Sequence, residues 1–293
     1  MLGRRRTSSV PAVAAVAGQF GRDVGQCLER IARTVEQARA RGAKLVVFPE
    51  ATLGGYLYEP RLQDSRAPVG PPPALAPDGE EVAQLARIAG PTVVCVGYTE
   101  AAPEGQYSSA VCVSGDGVLG RQRKVHIPPA ERGAYLPGQG FEAFDTPLGR
   151  IGMLVCYDKV FPEAARELSL DGAQIIASLA AWPVCRKNPA PRIRQDRQVR
   201  HFNVLDQARA VENQVVWVSA NQTGRLGRLR FPGQAKVVHP DGRVLATTGL
   251  SAGTALARVD ALGVVADTRR HLSHLGDRRP LSYRRWPVPA TLV

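Results

Sequence analysis

Short apolar runs alternate with longer amphipathic stretches along most of this 293-residue chain. The runs are five or six residues long, as buried strands are, whereas the longer stretches repeat their apolar positions with a helical period. Strands that alternate with helices favour an α/β fold with parallel neighbouring strands. The predicted strands are 13–18, 44–48, 92–97, 109–113, 150–155, 174–179, 215–220, 234–238 and 254–259, and the predicted helices are 23–41, 78–89, 161–171 and 197–212.

Two turn sequences interrupt this alternation. Residues 114–117 read Ser-Gly-Asp-Gly and residues 239–243 read His-Pro-Asp-Gly-Arg, and both are rich in the residues typical of β-turns. Such turns join antiparallel strands, so we expect a mixed sheet. A chain of this length is within reach of a single large α/β domain.

The formal net charge is +12, and the basic residues cluster only at 4–6, at 186–200 and in the tail. This charge is compatible with binding to anions, nucleic acid or an acidic membrane, and equally with a solvated, arginine-rich surface, which we favour. No zinc-finger spacing or RNA-binding signature accompanies the charge. No apolar run approaches the roughly 18–20 residues of a membrane span. We therefore expect neither nucleic acid nor membrane as a partner.

The first residues allow two interpretations. Residues 4–8, followed by an apolar stretch, are similar to a short twin-arginine export signal. Cleavage after Ala17, however, would remove the first predicted strand, so we favour a basic leader. The five cysteines are widely spaced, odd in number and without a Cys-x-x-Cys pair, which argues against zinc and fits a reducing compartment. We predict a cytoplasmic protein without a metal site.

One cysteine stands where a nucleophile would stand. Cys156 ends the run 150–155 and is followed by a predicted turn and helix. No histidine lies near it in sequence, so a Cys/His pair has no local support. Two other segments carry an ionisable residue in a similar position. Glu50 follows the run 44–48, and Lys124 precedes a turn bounded by prolines.

These three motifs together resemble the nitrilase superfamily of carbon–nitrogen hydrolases. They are Glu50 after an apolar strand, Lys124 in Arg-Lys-Val-His-Ile-Pro-Pro, and Cys156 in Cys-Tyr-Asp-Lys-Val-Phe-Pro-Glu. The resemblance covers roughly residues 10–285. It implies a single-domain, four-layer α-β-β-α sandwich with mixed sheets.

The same resemblance divides the chain into three parts. Residues 1–9 would be a flexible leader, and residues 10–265 the hydrolase domain. Residues 266–293 would form a C-terminal arm that packs on a neighbouring subunit of a homodimer or higher homo-oligomer.

The resemblance also implies a mechanism that needs no metal or organic cofactor. Glu50 would be the general base, and Cys156 would form a thioester. Lys124 and the backbone N–H of Tyr157 would stabilise the oxyanion. Glu131 would be a further catalytic residue that orients the substrate or the lysine. The helix start behind Cys156 is expected to lower the thiol pKa.

The bond cleaved is less well determined. Nitrile-cleaving members of the family typically carry the sequence Cys-Trp-Glu at the nucleophile, whereas this chain has Cys156, Tyr157 and Asp158. We therefore expect a small-molecule amide or N-carbamoyl substrate. A nitrilase, or an acyl transferase that uses the same thioester, is the alternative. A binding protein on an inactive scaffold is a third possibility, against which the complete set of motifs argues.

Four residues are candidates for substrate binding. Tyr56, Tyr157 and Trp182 are expected at the pocket because they lie at or just after predicted strand ends. Lys159 lies where some carbamoyl-amino-acid hydrolases carry an arginine that holds a substrate carboxylate, so it would select an anionic substrate. The alternative for Lys159 is a helix-start lysine paired with Glu163.

Overall fold

Strands and helices alternate through residues 10–57 and 71–283, the part of the chain that this computed structural model describes. The strands are β1 (Ala12–Gly18), β2 (Ala43–Val47), β3 (Ala74–Leu75), β4 (Val93–Ala102), β5 (Gly105–Ser114), β6 (Gly117–Arg123), β7 (Phe144–Thr146), β8 (Gly149–Val155), β9 (Ile175–Ala180), β10 (Val216–Leu226), β11 (Leu229–Pro232), β12 (Lys236–Val238), β13 (Val244–Thr247) and β14 (Gly253–Arg258). The α-helices are α1 (Val24–Ala40), α2 (Glu80–Ala89), α3 (Pro162–Leu170), α4 (Arg197–Asn213) and α5 (Ala261–His271).

Every predicted helix and strand is present, with ends that shift by a few residues. The sequence pattern missed α5 and the strands β3, β7 and β11, whereas β6 and β13 were expected after the two predicted turns but without bounds. In α5 only Ala261 and Val265 are buried, so its apolar stripe is too narrow to stand out. Strand β6 has one buried residue, Gln122, and therefore no apolar run that would mark its ends.

The strands form one mixed sheet in the order β6-β5-β4-β2-β1-β10-β9-β8-β7. Neighbours from β4 to β8 along this order are parallel. The predicted hairpins join β5 to β6 and β12 to β13, and both pairs are antiparallel. The prediction of a mixed sheet is therefore confirmed.

The sheet divides into two halves where β1 meets β10. These strands pair at two positions, Ala17 with Asn221 and Gly18 with Gln222, where β1 ends beside the middle of β10. The halves pack face to face, because β5 contacts β8 and β4 contacts β9 without sharing hydrogen bonds.

Successive side chains along each strand point to opposite faces of the sheet. One set packs between the two halves, and the other set packs against the helices outside them. Val47 of β2 and Met153 of β8 belong to the buried cluster between the halves. Their neighbours Val46 and Leu154 face outward, to a cluster with α1 and α2 on one side and a cluster with α3 and α4 on the other. The predicted four-layer, single-domain α-β-β-α sandwich is confirmed.

The topology brings the ends of four strands to one edge of the sandwich. Strands β2, β8 and β9 run parallel, and β6 runs in the same direction because two antiparallel pairings separate it from β4. Glu50, Lys124, Cys156 and Trp182 each follow the carboxyl end of one of these strands. This is the edge at which open α/β sheets bind ligands.

The predicted division of the chain into a leader, a hydrolase domain and a C-terminal arm stays a prediction. The leader 1–9 lies outside the described residues, as do residues 284–293 of the C-terminal arm. Helix α5 crosses the predicted boundary at residue 265. Within the described ranges, no helix combines the length and the apolar character that crossing a membrane requires.

Candidate active site

Glu50 is buried just beyond β2, and its carboxylate accepts three hydrogen bonds. Oε1 accepts from Lys124 Nζ (2.7 Å) and Ser108 Oγ (3.1 Å), and Oε2 accepts from the backbone N–H of Ala181 (3.0 Å). The backbone here lies against β4 at Gly97, where a Cβ would come within 2.7 Å of the Glu50 Cα. Only glycine allows this approach, which fixes the carboxylate over the carboxyl ends of the strands.

Lys124 lies between two carboxylates. Its Nζ donates to Glu50 and to both oxygens of Glu131, at 2.9 Å and 2.7 Å, and the side chain is fully buried. Tyr56 also donates its hydroxyl to Glu131 Oε1. Burial disfavours the ammonium, but the two glutamates outweigh it and raise the pKa of Lys124 well above its usual value.

Glu131 is also buried, and its ionisation is coupled to that of its neighbours. Burial raises the pKa of this carboxyl, with Lys124 opposing and Glu50 adding to the rise. The structure therefore brings Glu50, Lys124 and Glu131 into one hydrogen-bonded cluster.

Cys156 lies on a sharp turn between β8 and a short 3-10 helix (Cys156–Val160). Its φ of +49° is in the left-handed region, which is uncommon for a residue with a side chain and frequent at functional sites. The thiol is buried, and the charges of Glu50 and Lys124 both act on it.

Asp158 holds this turn against the segment that follows Lys124. Its Oδ2 accepts from the backbone N–H of Val155 (3.1 Å), and its Oδ1 accepts from the backbone N–H of His126 (2.8 Å). No role for Asp158 was predicted from the sequence. A buried acidic residue two positions after the nucleophile is the signal that could have identified it.

The expectation of a lowered thiol pKa is wrong. Burial and the charge of Glu50 raise the pKa of Cys156 well above its usual value, against the opposing effect of Lys124. The short 3-10 helix also supplies little of the dipole on which the expectation rested. The resting thiol is therefore protonated at neutral pH, and a base is needed when it attacks.

An open cavity of about 710 Å³ gives access to this cluster. Cys156 and Glu131 line it, together with three of the predicted substrate-binding residues, Tyr56, Tyr157 and Trp182. The indole N–H of Trp182 donates to Gln198 Oε1 (3.0 Å), and its backbone N–H donates to Asn221 Oδ1 (2.7 Å).

The fourth predicted residue, Lys159, does not line the cavity. It is fully buried, and its Nζ donates to Asp206 Oδ1 (2.8 Å), so its partner is not Glu163. Lys236 donates to the other oxygen of Asp206 (2.7 Å). The Lys159 Nζ also lies 3.1 Å from the centre of the Phe202 ring.

This buried cluster contains two lysines and one aspartate. Burial lowers the pKa of Lys159 to about 8, with Asp206 opposing the shift and Lys236 adding to it. Neither Asp206 nor Lys236 was singled out from the sequence. The signal was a lysine in the middle of the predicted strand 234–238 and an aspartate in the middle of a predicted helix.

The chain is similar to known proteins over most of its length. A family model described as carbon-nitrogen hydrolase matches residues 12–270. A nitrilase of Pyrococcus abyssi is 33% identical, over 73% of this chain and 75% of the relative. An N-carbamoylputrescine amidase of Arabidopsis thaliana is 28% identical, over 89% of this chain and 90% of the relative. A crystal structure of a carbon-nitrogen hydrolase from Helicobacter pylori G27 superposes with a TM-score of 0.78 at 25% identity, over 93% of this chain and 96% of that one.

Proposed function

The chain belongs to the carbon–nitrogen hydrolase family, and we propose that it cleaves an amide or N-carbamoyl group of a small molecule through a thioester on Cys156. One observation carries the proposal. A buried cluster of Glu50, Lys124 and Glu131 meets the Cys156 thiol at the floor of an open cavity. This combination supplies a nucleophile, a base and a fixed positive charge.

The first half of the reaction forms the thioester. Cys156 Sγ attacks the amide carbon while Glu50 takes the thiol proton, and the carbonyl oxygen becomes an oxyanion. The ammonium of Lys124, fixed by two carboxylates, and the backbone N–H of Tyr157 stabilise that oxyanion. The carbon–nitrogen bond then breaks, and Glu50 returns the proton to the leaving ammonia or amine.

The second half releases the enzyme. Water attacks the thioester carbon and gives its proton to Glu50, and the carbon–sulfur bond breaks. The acid leaves, and Cys156 regains its proton. Glu50 thus acts as a base in both halves. It takes a proton first from the Cys156 thiol, whose raised pKa keeps it protonated at rest, and later from water.

Glu131 acts by positioning. It holds Lys124 through two hydrogen bonds and is itself held by the Tyr56 hydroxyl. An ammonium restrained on both sides needs little reorganisation when the oxyanion forms, which is where preorganised charge contributes most to rate.

Trapping the acyl intermediate tests this proposal. The purified protein is screened for ammonia release with ω-amides, N-carbamoyl amino acids, carbamoyl amines and nitriles, and the substrate found is then used for rapid quenching and peptide mass spectrometry. We expect the substrate's acyl mass on Cys156. Cys156→Ala should lower kcat by at least about a thousandfold.

A matched control is available in the same cavity. Cys185 also lines it, so Cys185→Ala should retain turnover and the Cys156 adduct. An adduct on Cys185, or turnover that survives in Cys156→Ala, would contradict the mechanism. Cleavage of nitriles alone would favour the nitrilase alternative.

A further inference from the structure

The outer part of the catalytic cavity is lined with positive charge. Arg186, Lys187 and Arg197 line the cavity that contains Cys156, and all three are exposed. The acidic residue in the same lining is Glu131, which lies at the floor and is bound to Lys124.

A second cavity, of about 420 Å³, adjoins the first. The two share the wall formed by Val184, Cys185, Arg186 and Lys187. The remaining wall of the second cavity includes three exposed arginines of the β10–β11 hairpin, which are Arg225, Arg228 and Arg230.

A backbone hydrogen bond joins the two walls. Val184 donates its N–H to the carbonyl of Arg230 (2.9 Å). The hairpin arginines are therefore fixed next to the catalytic cavity.

Five basic side chains of the two linings have no acidic partner in the part of the chain that the structure describes. Within residues 10–57 and 71–283, no acidic side chain lies at ion-pair distance from Lys187, Arg197, Arg225, Arg228 or Arg230. The one acid in the second lining, Asp196, is buried and accepts from backbone N–H groups of Cys185 and Gln198.

Two arginines elsewhere on the surface show the paired arrangement that this wall lacks. Arg123 binds Glu100 (2.6 Å), and Arg243 binds Asp241 (2.7 Å). Like charges gathered along a concave wall repel one another and create a positive potential, which an anionic ligand relieves.

We propose that the substrate carries an anionic group, a carboxylate or a phosphate, that binds in the second cavity while its amide lies at Cys156. Arginine forks bind such groups with two parallel hydrogen bonds, and both cavities have the size of small-molecule sites. Lys159 is already bound to the buried Asp206, which it shares with Lys236. The exposed arginines of the second cavity, rather than Lys159, therefore recognise the charge of the substrate. This inference rests on the proposed amide hydrolysis.

Matched substrates test it. Monoamides of dicarboxylic acids of increasing chain length (ω-amides) are each compared with their methyl ester, in which the free carboxylate is replaced by a neutral group. A primary amide bearing a phosphate ester distinguishes the two anions. We expect kcat/KM to favour the best anionic amide about tenfold or more over its ester, and to lose that preference at high salt.

Variants locate the effect. The double variant Arg228→Gln/Arg230→Gln should raise KM for the anionic amide about tenfold and leave both kcat and the neutral ester unchanged. Arg33→Gln on α1, an exposed arginine outside both cavities, is the control and should change neither. Equal kcat/KM for the charged and neutral amides, or a preference that survives in the double variant, would overturn the inference while amide hydrolysis stood.

A binding measurement separates this inference from the proposed function. The diacid that corresponds to each ω-amide is titrated calorimetrically into Cys156→Ala protein, with and without the arginine substitutions. Binding that requires Arg228 and Arg230 would support the anion site even if no amide were cleaved. No binding, or binding of a DNA oligonucleotide through these arginines with no effect on amide turnover, would overturn it.

Discussion

The Nζ of Lys124 lies 2.7 Å from Oε1 of Glu50, and the same ammonium donates to both oxygens of Glu131. One fixed positive charge thus lies between two buried carboxyl groups beside the Cys156 thiol. Burial and the charge of Glu50 raise the pKa of Cys156, and the two glutamates raise the pKa of Lys124, so the thiol and the ammonium both keep their protons at rest. The thiol then needs a neighbouring base when it attacks.

Glu50→Gln should abolish turnover and leave the fold intact. The amide oxygen can still accept from Lys124 and Ser108, but the amide cannot take the thiol proton. Its NH2 group faces the Ala181 N–H, so the free energy of unfolding should fall by about 1–3 kcal/mol although the fold is kept. General-base catalysis contributes about a hundredfold to ten-thousandfold, so kcat should fall in this range. Steady-state kinetics and thermal unfolding check it.

The control for this variant is another buried carboxyl. Glu100 is 3% exposed and pairs with Arg123, away from the nucleophile. Glu100→Gln should leave kcat within a few-fold of wild type, although it lowers stability. Glu50→Gln activity at a tenth of wild type or better, about 1.4 kcal/mol of barrier, would contradict the general-base role.

Glu131→Gln should make Cys156 easier to ionise. The negative charge of Glu131 contributes to the raised pKa of the thiol, so its removal lowers that pKa. The rate of iodoacetamide alkylation at Cys156, followed by peptide mass spectrometry, should rise at a lower pH than in wild type.

Cys185 provides an internal reference in the same experiment. Backbone hydrogen bonding from Asn188, opposed by burial and aided by Arg197, lowers the pKa of Cys185, and Glu131 is not among the causes. Its pH profile should be unchanged by Glu131→Gln. A profile for Cys156 that also stays unchanged would show that Glu131 has no electrostatic effect on the nucleophile.

Asp158→Asn should weaken both stability and turnover. Each carboxylate oxygen of Asp158 accepts a backbone N–H, and the amide of asparagine replaces one acceptor with a donor. An unsatisfied buried N–H costs about 1–3 kcal/mol, so the free energy of unfolding in urea should fall by that amount. Asp145→Asn at an exposed ion pair should change it by less than about 0.5 kcal/mol, and an equal loss in both variants would contradict this role.

Lys159 should give stability a pH dependence between about 8 and 10.5. Its folded pKa of about 8 lies below the ordinary lysine value of 10.5, so the unfolded chain binds more protons in this window. The Lys159 contribution to the free energy of unfolding therefore rises as pH increases from 8 to 10.5, and it is lost as pH falls through 8. The difference between wild type and Lys159→Met, measured by urea unfolding at pH 7 and pH 10, reports this contribution together with its coupling to Lys236, which binds the same Asp206.

Lys159→Met also tests whether Lys159 or the exposed arginines recognise the charge of the substrate. If the exposed arginines bind the anionic group, Lys159→Met should keep the preference for anionic over neutral amides. Loss of that preference, with the fold intact, would return the role to Lys159 as the sequence suggested. In the urea experiment, a difference in unfolding free energy between wild type and Lys159→Met that is the same at pH 7 and pH 10 would contradict the lowered pKa of Lys159.

The sequence by itself determined the alternation of strands and helices and, through three local motifs, the family, whose resemblance implied the four layers. Alternating runs such as 44–48 and 150–155 predict strands buried on both faces, because side chains along a strand alternate between two packing surfaces. The motifs around Glu50, Lys124 and Cys156 carried the family resemblance, since each is local in sequence.

Only the tertiary structure decided how these residues act on one another. Glu50 and Lys124 are 74 residues apart, and their 2.7 Å contact depends on β2 and β6 ending at the same edge of the sandwich. The direction of the Cys156 pKa shift and the partner of Lys159 also depend on burial and on charges from distant segments. Periodicity along the chain cannot contain that information, because it reports which face of an element is buried and not which charged group lies opposite it.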